Sequence, residues 1–283
     1  MRIAGAVILY YPDEIVIENI YTYLNSMGKL YIIDNSEIPS KVLIDKLKSF
    51  SNVIYIHDGE NKGIAERLNL SSNLAVHDGF EWLLTMDQDS SFEKGSFLNY
   101  LNCINSFDKK ENVSMFGINF VEKVNQSVFC HPINVNHLIT SGSVLNLRLI
   151  SLIGGFDEKL FIDEVDFEYC LRSVSRGFSI VQFVNIFLNH NLGQRSTHRS
   201  FKTTRLTSRT LYPPPRIYYM TRNFLYVKRI YQKQFTEEIR LRRKILLNRF
   251  KNNVLYNNER VSVMKNIIKG AWDFRKKKMG KLK

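Results

Sequence analysis

Residues 83–92 read LLTMDQDSSF. Leu83 to Met86 fit a buried strand, and the strand runs into two carboxylates one residue apart, Asp87 and Asp89. Carboxylates this close raise each other's pKa, so the pair is unfavourable unless something cationic sits between them. In an extended segment side chains at i and i+2 point the same way, which turns both acids to one side. Hard oxygen ligands so placed suit Mg2+ or Mn2+, which complete their shells with water and substrate phosphates. A DxD pair is common by chance; its place at the end of a strand gives it weight.

Working outward, IAGAVILYY (3–11), KLYIIDN (29–35), NVIYIHD (52–58) and EWLLTMD (81–87) have strand composition. The stretches between them, 13–28, 40–50 and 64–78, have helical spacing. This alternation predicts an α/β fold, a mostly parallel central sheet flanked by helices. Such sheets bind ligands outside the carboxyl ends of their strands. The strand ends here are Tyr11 and Pro12, Asp34 and Asn35, His57 and Asp58, and Asp87 and Asp89. Asp and Asn favour turns on their own account, so each taken singly has a structural reading; turn chemistry needs one carboxylate and not two.

Further along, a helix is expected near 96–107, a strand at 113–120, a dense segment from 138 to 177, and a strand from 178 that ends in His190. The run Tyr212-Pro-Pro-Pro marks a boundary, because Pro continues neither helix nor ladder. Helical stretches 216–231 and 237–250 and a basic tail follow. The expected organisation is a domain 1–211 made of halves 1–95 and 96–211, then a basic helical extension 212–283 placed at a membrane surface.

The 283 residues are 44% hydrophobic, enough for a real core. No window reaches the 18 or so apolar residues of a membrane span, and the start, MRIAGAVIL, lacks a signal-peptide pattern. Cys103, Cys130 and Cys170 show no metal spacing, which points to a reducing cytoplasm. The net charge of +13 is unevenly spread: 25 of the 40 Lys+Arg but only 4 of the 27 Asp+Glu lie from Arg195 onward. The basic part suits a polyanionic surface, an anionic membrane leaflet or a nucleic acid. RIYYMTRNFLYVKRIY (216–231), with its mixed aromatic and cationic residues, reads as an interfacial anchor or as helices packed on the domain with a solvated basic face. No groove-reading motif accompanies it, which speaks against nucleic acid.

Several residues carry candidate chemistry. In the turn ENKGIA (60–65) a helix start could face a phosphate or ribose; Gly63 is its only glycine, so it is no P-loop. Arg67, one turn on, reads as a diphosphate contact or as part of a solvated face. In FIDEVDFEYCLR (161–172) Asp163 reads as an N-cap, Glu168 and Arg172 as an i,i+4 ion pair, and Asp166 as a cap or a catalytic base. A lone His such as His190 is more often structural, but an acid pair elsewhere needs a further neutral ligand.

Together, TMDQDSS (85–91), ENKGIAERLN (60–69), ITSGS (139–143), GGFDEKLFIDEVDFEYCLR (154–172) and FLNHNLG (187–193) resemble the rhamnosyltransferase-like branch of bacterial family 2 glycosyltransferases, with YYPD (10–13) and RIYYMTRNFLYVKR (216–229) extending the match. The resemblance implies a GT-A fold, Rossmann-like, and inverting transfer of a sugar from a nucleoside diphosphate to a hydroxyl. It makes 1–211 the catalytic domain, with 1–95 its nucleotide-sugar-binding half and 96–211 its acceptor/base half. The donor it suggests is dTDP-rhamnose, with UDP-hexose or UDP-galactofuranose behind it. The acceptor would be a lipid-linked or growing cell-surface glycan such as O-antigen or capsule. By the same resemblance Asp87, Asp89 and His190 hold Mg2+ or Mn2+ and Asp166 is the general base. Tyr11, Pro12, Asp34, Asn61, Gly63, Arg67 and Gln88 bind the donor, and Ser141, Gly142, Glu164 and Arg222 the acceptor. The implied location is cytoplasmic, peripheral on the inner face of the cell membrane, with a homo-oligomer compatible. A nucleotidyltransferase on a similar sheet, and a nucleic-acid-binding protein, are the competing classes.

Overall fold

In the computed structural model, residues 1–120, 130–190, 195–199 and 206–282 are described, 190, 195, 196, 198 and 199 by their backbone. They divide into two compact units, Met1–Glu158 with Val165–Asn191, and Lys159–Glu164 with Leu192–Lys283. The division falls earlier than the Pro run, and six residues from the middle of the chain go with the second unit.

The first unit runs β1 (Ile3–Leu9), α1 (Ile15–Tyr21), β2 (Lys29–Asp34), α2 (Lys41–Lys48), β3 (Val53–His57), α3 (Ile64–His77), β4 (Trp82–Asp87), β5 (Ser90–Phe92), α4 (Ser96–Ser106), β6 (Val113–Asn119), β7 (Pro132–Asn134), β8 (Ser143–Asn146), α5 (Leu147–Ile153), α6 (Val165–Ser175) and β9 (Ser179–His190). The strand order is β3-β2-β1-β4-β8-β6-β9-β5, with β7 also on β9. The first four of these strands are parallel to one another. Their apolar runs are those of strands covered on both faces, and every residue of β1 is buried. β8 then enters antiparallel between β4 and β6. This four-residue strand is not foreseen from composition, because its pairing comes from neighbours remote in sequence.

The core lies on both sides of β4 and β6. Leu84, Phe116 and Phe183 are fully buried, and the Phe116 and Phe183 rings stack at 5.8 Å. Cys103 of α4 is bonded to Cys130, with 5.6 Å between the two Cα atoms, while Cys170 is a buried free thiol. The cysteines, read from their spacing as pointing to a reducing cytoplasm, include a pair that the fold brings within bonding distance.

The second unit contains β10 (Arg195–Arg199), β11 (Leu206–Thr210), α7 (Pro214–Tyr231), α8 (Thr236–Tyr256) and α9 (Arg260–Arg275). β10 and β11 form an antiparallel pair. α7 covers the stretch read as an anchor, yet Ile217, Tyr218, Met220, Arg222, Asn223, Phe224 and Val227 are all buried. It is the core helix of its unit, not an interfacial one. The expected tail is instead largely helix. α9 packs on α7 through Gly270, where a Cβ would meet the Tyr218 carbonyl oxygen at 2.7 Å. No helix among the described residues is long and apolar enough to cross a membrane.

The segment 159–164 is held by α7. Arg222, 1% exposed, donates to the carbonyls of Lys159 and Leu160 as well as that of Gly280. The Asn223 amide reaches the carbonyls of Leu160, Ile162 and Asp163 at 2.7, 2.7 and 3.1 Å. Arg216 pairs with Asp163 and Arg242 with Glu164. These contacts stabilise a backbone that needs support: Phe161, Asp163 and Glu164 have φ of 64, 61 and 65°, left-handed values that cost a non-glycine residue about 1–3 kcal/mol each.

Alkylation of the denatured, unreduced chain should label one cysteine, Cys170, and alkylation after reduction all three. Three labels before reduction, read by mass spectrometry, would show that Cys103 and Cys130 are not bonded.

Candidate active site

The parallel half aligns its strand ends. In register, Ile8 faces Asp87, Leu9 faces Asp34, and Asp34 faces His57. The residues read as strand-end candidates thus share one edge, the carboxyl edge at which α/β sheets bind ligands.

Asp87 closes β4, and Gln88 and Asp89 make the turn into β5. A buried hydroxyl chain fixes this reversal. The Asp87 amide donates to Ser141 Oγ at 3.2 Å, and Ser141 Oγ donates to Ser90 Oγ at 2.8 Å. Ser141 is 0% exposed. The segment that carries it is set by Gly142, at φ 71°, whose amide reaches the Thr85 carbonyl at 2.8 Å, and by Thr85 Oγ1 donating to the Thr140 carbonyl at 2.5 Å. On the other side, Gln88 accepts from the Tyr10 amide at 2.8 Å, and its own carbonyl accepts from Asn19 of α1 at 2.9 Å. The turn that bears the acid pair is thereby fastened to β1, α1 and the 139–143 segment.

β5 pairs antiparallel with β9 so that Ser90 faces His190. The His190 backbone therefore runs beside the acid pair; its side chain lies outside the described residues. Among the described side chains no group of three His, Cys, Asp or Glu could hold a metal ion. Two carboxylates on one turn, with an imidazole residue in the adjacent strand register, form a donor set chemically suited to Mg2+ or Mn2+.

The turn after β3 is organised by Asn35. Its Oδ1 accepts from the Lys62 amide and from Arg67 Nε, each at 2.9 Å, and its Nδ2 donates to Asn61 Oδ1 at 2.9 Å. Asn61 Oδ1 also accepts from the Gly63 amide at 3.1 Å. Gly63 sits at φ 85°, a conformation that favours glycine. Two of the turn's amides are thus committed to Asn side chains. Arg67 lies beneath, 1% exposed, bidentate to Asp58 and donating to the Glu60 carbonyl. Its guanidinium hydrogen bond holds the Asp58 carboxyl well below the usual carboxylate range, against a smaller opposing effect of burial.

At the end of β2, Asp34 is 2% exposed and both its oxygens are engaged, by the Ser36 amide at 2.9 Å and by Tyr55 Oη at 2.6 Å. Burial first, then this bond, pushes the Tyr55 phenol far up. Tyr11 is exposed, with φ 44° just before Pro12; its amide donates to Ser36 Oγ at 2.7 Å.

Asp166 is the second residue of α6, and its Oδ1 accepts from the Phe167 amide at 2.8 Å. One turn later Cys170 Sγ accepts from the Leu138 amide at 3.4 Å. α6 is thus tied to the same connection that places Ser141 under Asp87. Glu168 and Arg172 form the expected ion pair, at 2.8 and 3.0 Å, and Arg172 also caps the carbonyls of Ile153 and Gly155.

Four expected ligand contacts turn out to be supports, and a fifth is a backbone hinge. Arg67 braces its turn instead of reaching outward, because every face of its guanidinium is occupied. Ser141 is buried under the acid pair instead of facing an acceptor. Gly142 is enclosed by Ile118 and Leu188 and serves through its backbone angle. Glu164, 3% exposed and paired with Arg242, and Arg222 belong to the second unit. Asp163 is no N-cap; it is left-handed and paired with Arg216. Asn19, which holds the Gln88 carbonyl, was not foreseen, and nothing in a short amphipathic helix singles it out.

Because the folded Asp58 pKa lies below that of the unfolded chain, its contribution is present above about pH 4 and lost as pH falls further. Below about pH 4 the melting temperature of the native chain should therefore drop more steeply than that of Asp58→Asn. Parallel acid limbs would reject the coupling.

No family model matches the chain. It is 26% identical over 241 residues to dTDP-rhamnosyl transferase RfbF of Shigella flexneri, covering 78% of each chain. Among solved structures it is similar to TarS of S. aureus, at a TM-score of 0.59, 14% identity and 98% of this chain. It is also similar to GalNAc-T7, solved with UDP, GalNAc and Mn2+, at 0.60, 9% and 98%. A third likeness is to TarS 1–349 in complex with UDP-GlcNAc, at 0.55, 15% and 97%. The chain spans 49% of the longer TarS chain, 58% of GalNAc-T7 and 80% of TarS 1–349. With this sheet order and these likenesses, the chain has the GT-A fold of glycosyltransferases and is similar in sequence to a rhamnosyltransferase.

Proposed function

We propose that the chain is a metal-dependent, inverting glycosyltransferase that moves L-rhamnose from dTDP-rhamnose to a hydroxyl of a lipid-linked or growing cell-surface glycan, of the O-antigen or capsule kind, at the inner face of the cell membrane. The observation that carries this reading is the gathering of Asp87, Asp89 and the His190 register at one strand edge, in a chain similar to a dTDP-rhamnosyl transferase. A UDP-hexose donor is the second reading, favoured by the UDP and UDP-GlcNAc in the structural neighbours.

In this reading Asp87, Asp89 and His190 hold Mg2+ or Mn2+, in keeping with the Mn2+ of the GalNAc-T7 structure. Bound there, the cation offsets charge developing on the departing diphosphate. The chain's own residues do the rest. The turn shaped by Asn35, Asn61 and Gly63 shelters the donor's nucleotide side, and exposed Tyr11 offers its ring to the base. Gln88 keeps the acid turn against β1. The sugar passes through an oxocarbenium-like state while an acceptor hydroxyl attacks from the opposite side. Asp166 takes the proton of that hydroxyl. Its place in the first turn of an 11-residue helix favours a negative charge there, and the Phe167 amide orients its carboxylate.

The test is transfer and thermal shift against a panel of nucleotide sugars, with Mn2+ or Mg2+ and again with chelator. dTDP-rhamnose with metal should stabilise most and support transfer. Asp166→Asn should cut transfer by roughly 10²- to 10⁴-fold with donor stabilisation retained, whereas Asp87→Ala/Asp89→Ala should lose metal-dependent stabilisation. Full transfer by the double variant would reject the metal role, and unfolding of Asp166→Asn would reassign Asp166 to helix capping.

A further inference from the structure

α7 is buried, so the basic second unit has to meet any polyanionic partner elsewhere. α9 presents a suitable face. Val261, Met264, Ile268 and Trp272 are 61, 44, 69 and 54% exposed. At 100° per residue they fall within an arc of about 80°. Val263 and Gly270, the buried residues that seat α9 on its unit, lie on the opposite side. An apolar stripe turned straight out to solvent, opposite the packing face, marks an interaction surface and not a core.

One flank of the stripe is cationic: Lys265, Lys269 and Lys276 are exposed along it, and Lys276 lies over the Trp272 ring at 4.7 Å. About 100° round from Ile268 and Trp272, Lys269 and Asp273 lead into a cavity of about 490 Å³ lined also by Tyr218, Lys277, Lys278 and Lys281. The carboxylate in its wall is already committed, accepting from Tyr218 Oη at 3.0 Å and from Lys269 at 3.1 Å. The chain folds the cavity shut from behind: the Gly280 amide bonds the Lys159 carbonyl at 2.8 Å and the Leu282 amide bonds Tyr219 Oη at 2.7 Å. Apolar residues edged by a row of lysines that leads into a lysine-lined recess match the layering of an anionic bilayer surface, with acyl boundary next to phosphate.

We propose that the outer face of α9 docks on an anionic phospholipid membrane, with Val261, Met264, Ile268 and Trp272 entering the headgroup–acyl boundary and the cavity of Lys269, Lys277, Lys278 and Lys281 receiving a headgroup phosphate. This deepens the reading that the acceptor is lipid-linked, and it assigns the contact to α9 in place of α7.

The full chain is floated with phosphatidylcholine vesicles and with vesicles also containing phosphatidylglycerol, at low and high salt, without donor or acceptor. Binding is expected to the anionic vesicles alone, with release at high salt and a blue shift of Trp272 emission; Trp82 is buried. Ile268→Glu/Trp272→Glu and, separately, Lys277→Glu/Lys278→Glu should each weaken binding by about tenfold or more. Both should melt as the native chain does and keep its stabilisation by dTDP with Mn2+. Failure of the native chain to float, or flotation of either double variant equal to it, overturns the proposal. So does stabilisation by inorganic phosphate without vesicle binding, which would make the cavity a free-anion site. A native dimer that Ile268→Glu/Trp272→Glu dissolves would make the face a contact between copies, and lysine-dependent retention by RNA in place of vesicles would make it a nucleic-acid surface. Because flotation uses no donor, an inactive transferase leaves its outcome unchanged, and transfer to a soluble acceptor tests the glycosyltransferase reading by itself.

Discussion

A chain of two buried hydroxyls underlies the carboxyl edge of this protein. The Asp87 amide donates to Ser141, and Ser141 donates to Ser90. Buried polar groups are costly unless satisfied, and each satisfied link here joins a different part of the sheet. Asp87 ends the parallel half, Ser90 opens the strand that pairs with β9, and Ser141 precedes the antiparallel β8. Once the chain of bonds is made, the acid turn is fastened to the strand whose Ser90 faces His190. The acidic turn depends on partners more than fifty residues away, which is why its carboxylates can be held together with so little local structure around them.

What the sequence revealed and what it concealed follow from where each signal lies. The parallel half was legible because its strands are continuous apolar runs and its helices keep one spacing. The Glu168–Arg172 pair was legible because four residues along a helix always meet. β5, β7 and β8 were not, since each has three or four residues and owes its pairing to segments remote in sequence. Arg67 and Arg222 looked like surface or ligand-contacting residues, as arginine in a helix usually is; only their partners, Asp58 and Asn35 for one and a row of carbonyls for the other, make burial tolerable. α9 was hidden by lysines and by Gly270, which reads as a helix breaker until its role as a contact point against α7 is seen. The pairing of Cys103 with Cys130 has no signal in spacing at all.

The candidate site also shows how far position along the chain misleads about role. Of the residues first assigned to ligands, those at strand ends stayed at the edge, whereas those taken from helices and from the serine-glycine segment became braces. Asn35, Asn61, Gln88 and Ser141 each satisfy backbone groups that the turns leave unpaired. Losing one of these side chains leaves a turn amide without its partner and releases the turn it holds.

The left-handed residues Phe161, Asp163 and Glu164 impose an order on biogenesis. Their supports, Arg216, Arg222, Asn223 and Arg242, leave the ribosome some fifty to eighty residues later. Until then the segment 161–164 has no reason to hold its costly backbone. The order of synthesis thus separates the strained segment from its supports, so a product truncated before Arg216 would hold the costly backbone of 161–164 without the side chains that stabilise it.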